Sequence, residues 1–172
     1  TITMNSNTVV TANFEVSYIY LDSNGVTVKA HPGAAIGYQQ TINGIVYTIA
    51  DRSTLLAKIS AKQYVGSLVT SYITDMSYMF GTGSGQQEYL TGSGPQQYLN
   101  WWRVFNQDLS SWDVSNVTNF EYMFFDANNF NQDISYWDVS NAEDMHGMFY
   151  DARSFNQDLS SWDVSNVTNF EY

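Results

Sequence analysis

Two rows of carboxylates hold most of the chemistry this chain could do. Asp108, Asp133 and Asp158 form one row and Asp113, Asp138 and Asp163 the other, each with a spacing of 25 positions. Such rows could bind a cation, or supply an acid and a base. Like charges about 5 Å apart repel unless backbone N–H groups cap them, a cation bridges them or a basic group pairs with them. Calcium takes about six to eight oxygens, usually from a loop dense in Gly and Asp. That density is missing, so capping of turn N–H groups is favoured over a calcium ladder, and neither a metal site nor a cofactor is expected. Acid–base catalysis needs two carboxylates in different environments, which a ladder of equivalent positions does not supply.

The remaining reactive types point the same way. His31 and His146 are isolated, and His146 fills a slot occupied elsewhere by Ser77 and Glu121, so it reads as an outward surface residue rather than a base or ligand. No Gly-x-Ser-x-Gly elbow, phosphate loop or His-Glu-x-x-His occurs. With no cysteine, thiolate metal sites, cysteine nucleophiles and disulfides drop out together. An enzyme is not expected.

The carboxylates repeat because the chain does. Residues 105–122 return unchanged as residues 155–172, and residues 130–141 are a looser third copy. A fixed period in the range of about 20 to 50 residues implies stacked units that contact only their neighbours. Trp-Asp-Val-Ser-Asn-Val-Thr has the β-branched character of a short strand. Met76, Met79 and Phe80, with Phe120, Met123 and Phe124 and then Met145, Met148 and Phe149, recur at i, i+3, i+4 and predict one helical turn per unit. The expected fold is therefore an α+β repeat solenoid. Its right-handed, leucine-rich-repeat-like coils hold 25 residues each, with a short parallel strand and a helical turn, and a small β-rich cap precedes them. The Cα atoms of equivalents such as Phe130 and Phe155 should lie about 5 Å apart along one axis.

The chain divides into three segments. Residues 1–15 read as two short strands closing a preceding β-repeat domain. Residues 16–72 read as an N-terminal cap, with a turn at residues 22–25, a hairpin at residues 41–49 about Asn43-Gly44, and a helix from Asp51 or Ser53 that carries Leu55, Leu56 and Ile59. Residues 73–172 form the array. Phe80 to Phe124 spans 44 positions, which places 19 extra residues within 81–103. Because the last copy stops at Tyr172, where Tyr122 runs on into Met123, the array reads as cut and the chain as a piece of a longer polypeptide.

Charge limits the partners. The formal net charge is −11, and from Val104 onward twelve acids face only Arg153. A nucleic-acid partner needs a cationic surface, and anionic membranes disfavour this one. No apolar run approaches the roughly 18 residues of a membrane span.

The unit Val-Thr-Asn/Asp-Phe/Met-x-x-Met-Phe-x-Asp-Ala-x-x-Phe-Asn-Gln-Asp-Leu/Ile-Ser-x-Trp-Asp-Val-Ser-Asn resembles the BspA-type leucine-rich repeat of bacterial surface proteins, also described as a surface-protein 26-residue repeat. Residues 1–15 resemble the closing segment of internalin-type B-repeats. The long Gly/Gln insert departs from the pattern, as does Ala142-Glu143 where other units have Val-Thr. The resemblance implies an extracellular, surface-attached protein that mediates adhesion to protein or glycan on another cell or matrix. The alternative is a structural stalk or filament subunit that associates with itself.

Particular residues carry these expectations. Trp112, Trp137 and Trp162 could form a sugar platform, but stacked aromatic residues on a repeat are more often packing. Asn106, Asn131 and Asn156 are expected as an internal amide ladder. Asn116 and Asn166 each open an Asn-x-Thr triplet and could carry glycans. The insert is the expected binding site, through Tyr89, Tyr98, Trp101 and Trp102, because insertions in repeat proteins project from one face and these residue types dominate hot spots. For Trp101 and Trp102 the competing reading is packing of the loop onto the array.

Overall fold

The computed structural model describes residues 17–81 and 100–171. The segment read as a β-repeat remnant, residues 1–15, lies outside the described residues, as do Tyr89 and Tyr98.

Local chemistry accounts for the first half. Strands β1 (Ile19–Leu21) and β2 (Val28–Ala30) pair antiparallel. Their turn is held by Asn24 Oδ1, which accepts from the backbone N–H groups of Val26 and Thr27, both at 2.9 Å. Strands β3 (Gln39–Ile42) and β4 (Ile45–Ile49) form a second hairpin. Its two turn residues, Asn43 and Gly44, have φ of 50° and 82°, the left-handed pair that matches strand twist. Helix α1 (Arg52–Ser60) starts at Asp51, whose carboxylate accepts from Thr54 N at 2.7 Å, and it buries Leu55 and Ile59. Strand β5 (Leu68–Val69) then adds in parallel to β4, which completes a three-stranded sheet. A small core of Ile19, Val28, Tyr47, Ile49 and Val69 lies between the two sheets.

The observed architecture corrects the expected fold. Over the described residues the structure is small and mostly β, with two small sheets and two short helices, not a solenoid of leucine-rich-repeat-like coils. Among the described residues from 73 onward, the helix or strand that forms is helix α2 (Asn100–Val104), which lies at the end of the insert. Neither the repeated strand nor the repeated helical turn forms among the described residues. Two physical causes stand out. First, Tyr78 and Tyr122 sit at φ of 55° and 51° in the middle of the Met-x-x-Met-Phe motif, which no α-helix tolerates. The N–H groups of Met76, Tyr78 and Phe80 donate to the carbonyls of Asn119, Glu121 and Met123 instead of to their own turn. Second, the Trp-Asp-Val-Ser segment folds back through side-chain turns, so pairing shrinks to the isolated parallel bridges Asp75↔Asn119, Asn119↔Asp144 and Asp144↔Asn169.

Equivalent residues nevertheless meet. Phe130 and Phe155 stack with ring centroids 5.8 Å apart, and the indoles of Trp112, Trp137 and Trp162 follow one another at 6.4 Å with interplanar angles of 2° and 5°. A single apolar cluster runs from Ala50 through Phe80, Trp112 and Phe124 to Met148. Residues 63–74 seal its near side, since Trp112 Nε1 donates to Val65 O at 3.1 Å, Ser111 Oγ to Gly66 O at 2.9 Å and Asn116 Nδ2 to Ser71 O at 2.8 Å. Gly66 is required there, because a Cβ would overlap the Asp108 carbonyl.

Candidate functional site

The two carboxylate rows are turn devices. In the first, Asp108, Asp133 and Asp158 accept from the N–H of Ser110, Ser135 and Ser160, each at 2.9 Å. In the second, Asp113, Asp138 and Asp163 accept from the N–H of Ser115, Ser140 and Ser165 at 3.3, 3.2 and 3.0 Å. A third set, which the residue pattern alone did not disclose, caps in the same way: Asp75, Asn119 and Asp144 accept from Ser77, Glu121 and His146 at 2.8 Å. Each of these side chains bends its own chain two residues on, as Asx turns do. Among the described residues, no group of three or more His, Cys, Asp or Glu side chains is placed to hold a metal ion.

These bonds have a pH signature. The Ser135 hydrogen bonds hold the Asp133 carboxyl below its usual value, and the Ser160 and Ser165 backbone N–H groups do the same for Asp158 and Asp163. A depressed folded pKa adds stability above the unfolded value of 3.8, and that stability is lost as pH falls through the folded values. The urea midpoint is therefore expected to drop steadily below about pH 4. A midpoint flat down to about pH 2.5 would contradict the capping role. At the alkaline end, burial and then the hydrogen bond to Glu121 Oε1, 3.0 Å long, push the Tyr78 phenol up to about 12. Its neutral form is the one the fold favours, so this contribution is present below about pH 10 and lost toward pH 12. Ultraviolet titration should show one phenol ionising last, and Tyr78→Phe should remove that phase.

One carboxylate differs from its row. Asp113 is 3% exposed, accepts from Ser71 Oγ at 2.5 Å and Ser115 Oγ at 2.7 Å, and has Lys29 Nζ at 4.0 Å. It ties the β1–β2 hairpin and residues 70–71 to the repeat. Its role is structural, because the groups around it are spent on one another.

The other expected positions fall as follows. Trp101 and Trp102 sit on α2; Trp102 is 5% exposed and packs edge-on against Phe80 at 6.5 Å and Trp101 at 4.7 Å, while Trp101 is half-buried over Phe105 at 5.5 Å. Arg103 pins the same helix through Asp126 Oδ2 at 2.8 Å. The Trp row is packed, with each Nε1 of Trp137 and Trp162 donating to the carbonyl of Leu109 or Ile134. The Asn row does satisfy turn backbone, since Asn131 N and Asn156 N donate to Asn106 Oδ1 and Asn131 Oδ1 at 3.0 and 2.9 Å. It is exposed rather than internal. The amide nitrogens of Asn116 and Asn166 are engaged with Ser71 O and Ser140 O.

His146 is not an outward surface residue. It is half-buried, with Nε2 2.7 Å from the Tyr122 hydroxyl and the two rings edge to face at 4.8 Å. The reason is its neighbour: Gly147, at φ 56°, takes the left-handed position held by Tyr78 and Tyr122, and the Tyr122 ring fills the space a side chain there would need. The sequence signal was the glycine standing where other units carry tyrosine.

With this geometry in place, comparison gives one family. A model described as "Mycoplasma protein of unknown function, DUF285" matches residues 96–172, so the repeated half of the chain is similar to that family. No curated protein and no solved structure matches. No helix among the described residues is long and apolar enough to cross a membrane.

Proposed function

We propose that this chain is a non-catalytic binding protein of a cell surface, engaging protein or glycan on another cell or on matrix through its insert. The observation that carries this reading is the use of the repeated carboxylates, each held in a bond to its own turn. The resemblance of the repeat to BspA-type surface proteins supports the extracellular setting. The acidic balance favours protein or glycan over nucleic acid as the partner. Residues 81–103 interrupt the period and bring Tyr89, Tyr98, Trp101 and Trp102 together in sequence. Helix α2 anchors the end of this segment through Trp102 and Arg103.

The test is deletion of residues 82–99, with binding measured on a glycan array and on immobilised extracellular-matrix proteins. The intact chain is expected to bind saturably and the deletion variant to lose that binding. Its melting temperature should stay within about 3 °C, because the entropic cost of closing a chain segment depends only weakly on its length. Undiminished binding by the variant would remove the insert as the site, and no binding by the intact chain to either panel would sink the adhesive reading.

A further inference from the structure

Six basic residues stand against seventeen acidic ones, and Lys29, Arg52, Arg103 and Arg153 each hold an aspartate within 4.0 Å. Lys58 does not. Its Nζ donates to the neutral Gln63 Oε1 at 3.3 Å, and it has no carboxylate partner among the described residues. The fold brings this about. Leu55 and Ile59 turn one side of α1 into the core, which leaves Ser53, Ala57 and Ala61 exposed on the other, beside the half-buried Thr54 and Lys58. After Ala61 the backbone is left-handed at Lys62, φ 56°, and this returns Gln63 to the helix end, where its N–H donates to Lys58 O at 2.9 Å. The result is an open groove of about 480 Å³ lined by Ser53, Thr54, Ala57, Lys58, Ala61 and Gln63. That volume is within the usual range for small-molecule sites, about 300–1,000 Å³.

We propose that this groove binds an acidic sugar, a uronic or sialic acid residue of a glycan, with the sugar carboxylate on Lys58 Nζ. An ammonium left to a neutral amide in a chain of net charge −11 gains most from an anion that arrives with the ligand. The rest of the lining suits sugar hydroxyls. Ala57 and Ala61 leave the floor free of bulk, as a pyranose ring needs. Ser53 Oγ donates to Asp51 Oδ1 at 2.9 Å and so meets a ligand as an acceptor, while Gln63, its oxygen engaged by Lys58, offers its NH₂ group as a donor. A ligand with one carboxylate and several hydroxyls matches that set. An acidic peptide would bring further charges to a groove whose lining holds no second cation. Asp51 sets the orientation, because its carboxylate caps the start of α1 through Thr54 N at 2.7 Å and so directs the ligand's anion toward Lys58, a turn further on. The groove lies outside the insert and outside residues 96–172, so the proposal does not depend on the function proposed above.

The experiment titrates the intact isotope-labelled chain with the methyl glycosides of glucuronic acid and of N-acetylneuraminic acid, with methyl glucoside as the uncharged control, and follows amide and side-chain resonances. Saturable shifts are expected at Thr54, Ala57, Lys58, Ala61 and Gln63 with at least one of the two acids, at a dissociation constant of about 0.1–10 mM, and none with the control. Lys58→Gln should weaken binding at least about tenfold, the loss of one charge-assisted bond, and Ala57→Leu should fill the floor and abolish it. Gln and Leu are good helix formers and neither position is in the core, so both variants keep their fold. No saturable shift up to about 50 mM of either acid, equal binding of the neutral glucoside, or unchanged affinity in Lys58→Gln would overturn the proposal. So would binding of inorganic phosphate or of a hexaglutamate peptide in the groove where both sugars fail, which would assign it to another anion. Shifts confined to residues 81–103 would move sugar binding to the insert, overturning this proposal and leaving the earlier one standing.

Discussion

Replacing Trp112 by alanine is expected to lower stability by about 3–5 kcal/mol, the usual cost of emptying a large buried aromatic site. Trp112 has no exposed surface, lies flat on Trp137 and contacts Phe80 at 5.8 Å, and its Nε1 bonds to Val65 O. The same substitution at Trp162 is expected to cost only about 1 kcal/mol, because that indole is half-buried. The pair forms an internal control. Both tryptophans occupy the same place in the same 18-residue sequence, so local propensity and denatured-state effects are matched. Urea denaturation followed by circular dichroism reads both, and equal losses at the two sites would contradict the asymmetry in their packing.

Asp113 gives the second large effect. Asp113→Ala removes the acceptor of Ser71 Oγ and Ser115 Oγ where the hairpin, residues 70–71 and the repeat converge, and is expected to cost about 2–4 kcal/mol. Ser71 is itself only 5% exposed, so its hydroxyl would lose this acceptor away from solvent. Asp163→Ala removes the same turn bond at an exposed site and is expected to lose a small fraction of that amount. Thermal unfolding of the two variants decides the matter. If Asp113→Ala were no more harmful than Asp163→Ala, the buried carboxylate would not be tying the hairpin to the repeat.

What could be read from the residues was local. Asn43-Gly44 specifies its hairpin and Asp51 its helix start, because the backbone geometry each needs is set by the residue itself. Capping by the aspartates was legible for the same reason. Strand β5 was not, since Leu68 and Val69 form a strand only by finding β4 across the chain. The i, i+3, i+4 pattern of Met76, Met79 and Phe80 suggested a helix, but the same apolar burial is reached by a turn through a left-handed Tyr78, where the N–H groups of Met76, Tyr78 and Phe80 donate to the next repeat. Periodicity reports which side chains are buried, not which backbone buries them. The Asn row misled in another way: its ladder bonds are made at the surface, where water could have served, so burial was not their cause.

The line of indoles has an optical consequence. Trp112, Trp137 and Trp162 lie within a few degrees of parallel, and each Nε1 points to an equivalent carbonyl, so their transition dipoles are aligned in the ring plane as well as between planes. Excitation can hop along such a row without rotating its polarisation. It collects at the ring in the most polar surroundings, which among these three is the half-buried Trp162, and the fluorescence of the row thus reports on the surroundings of that ring.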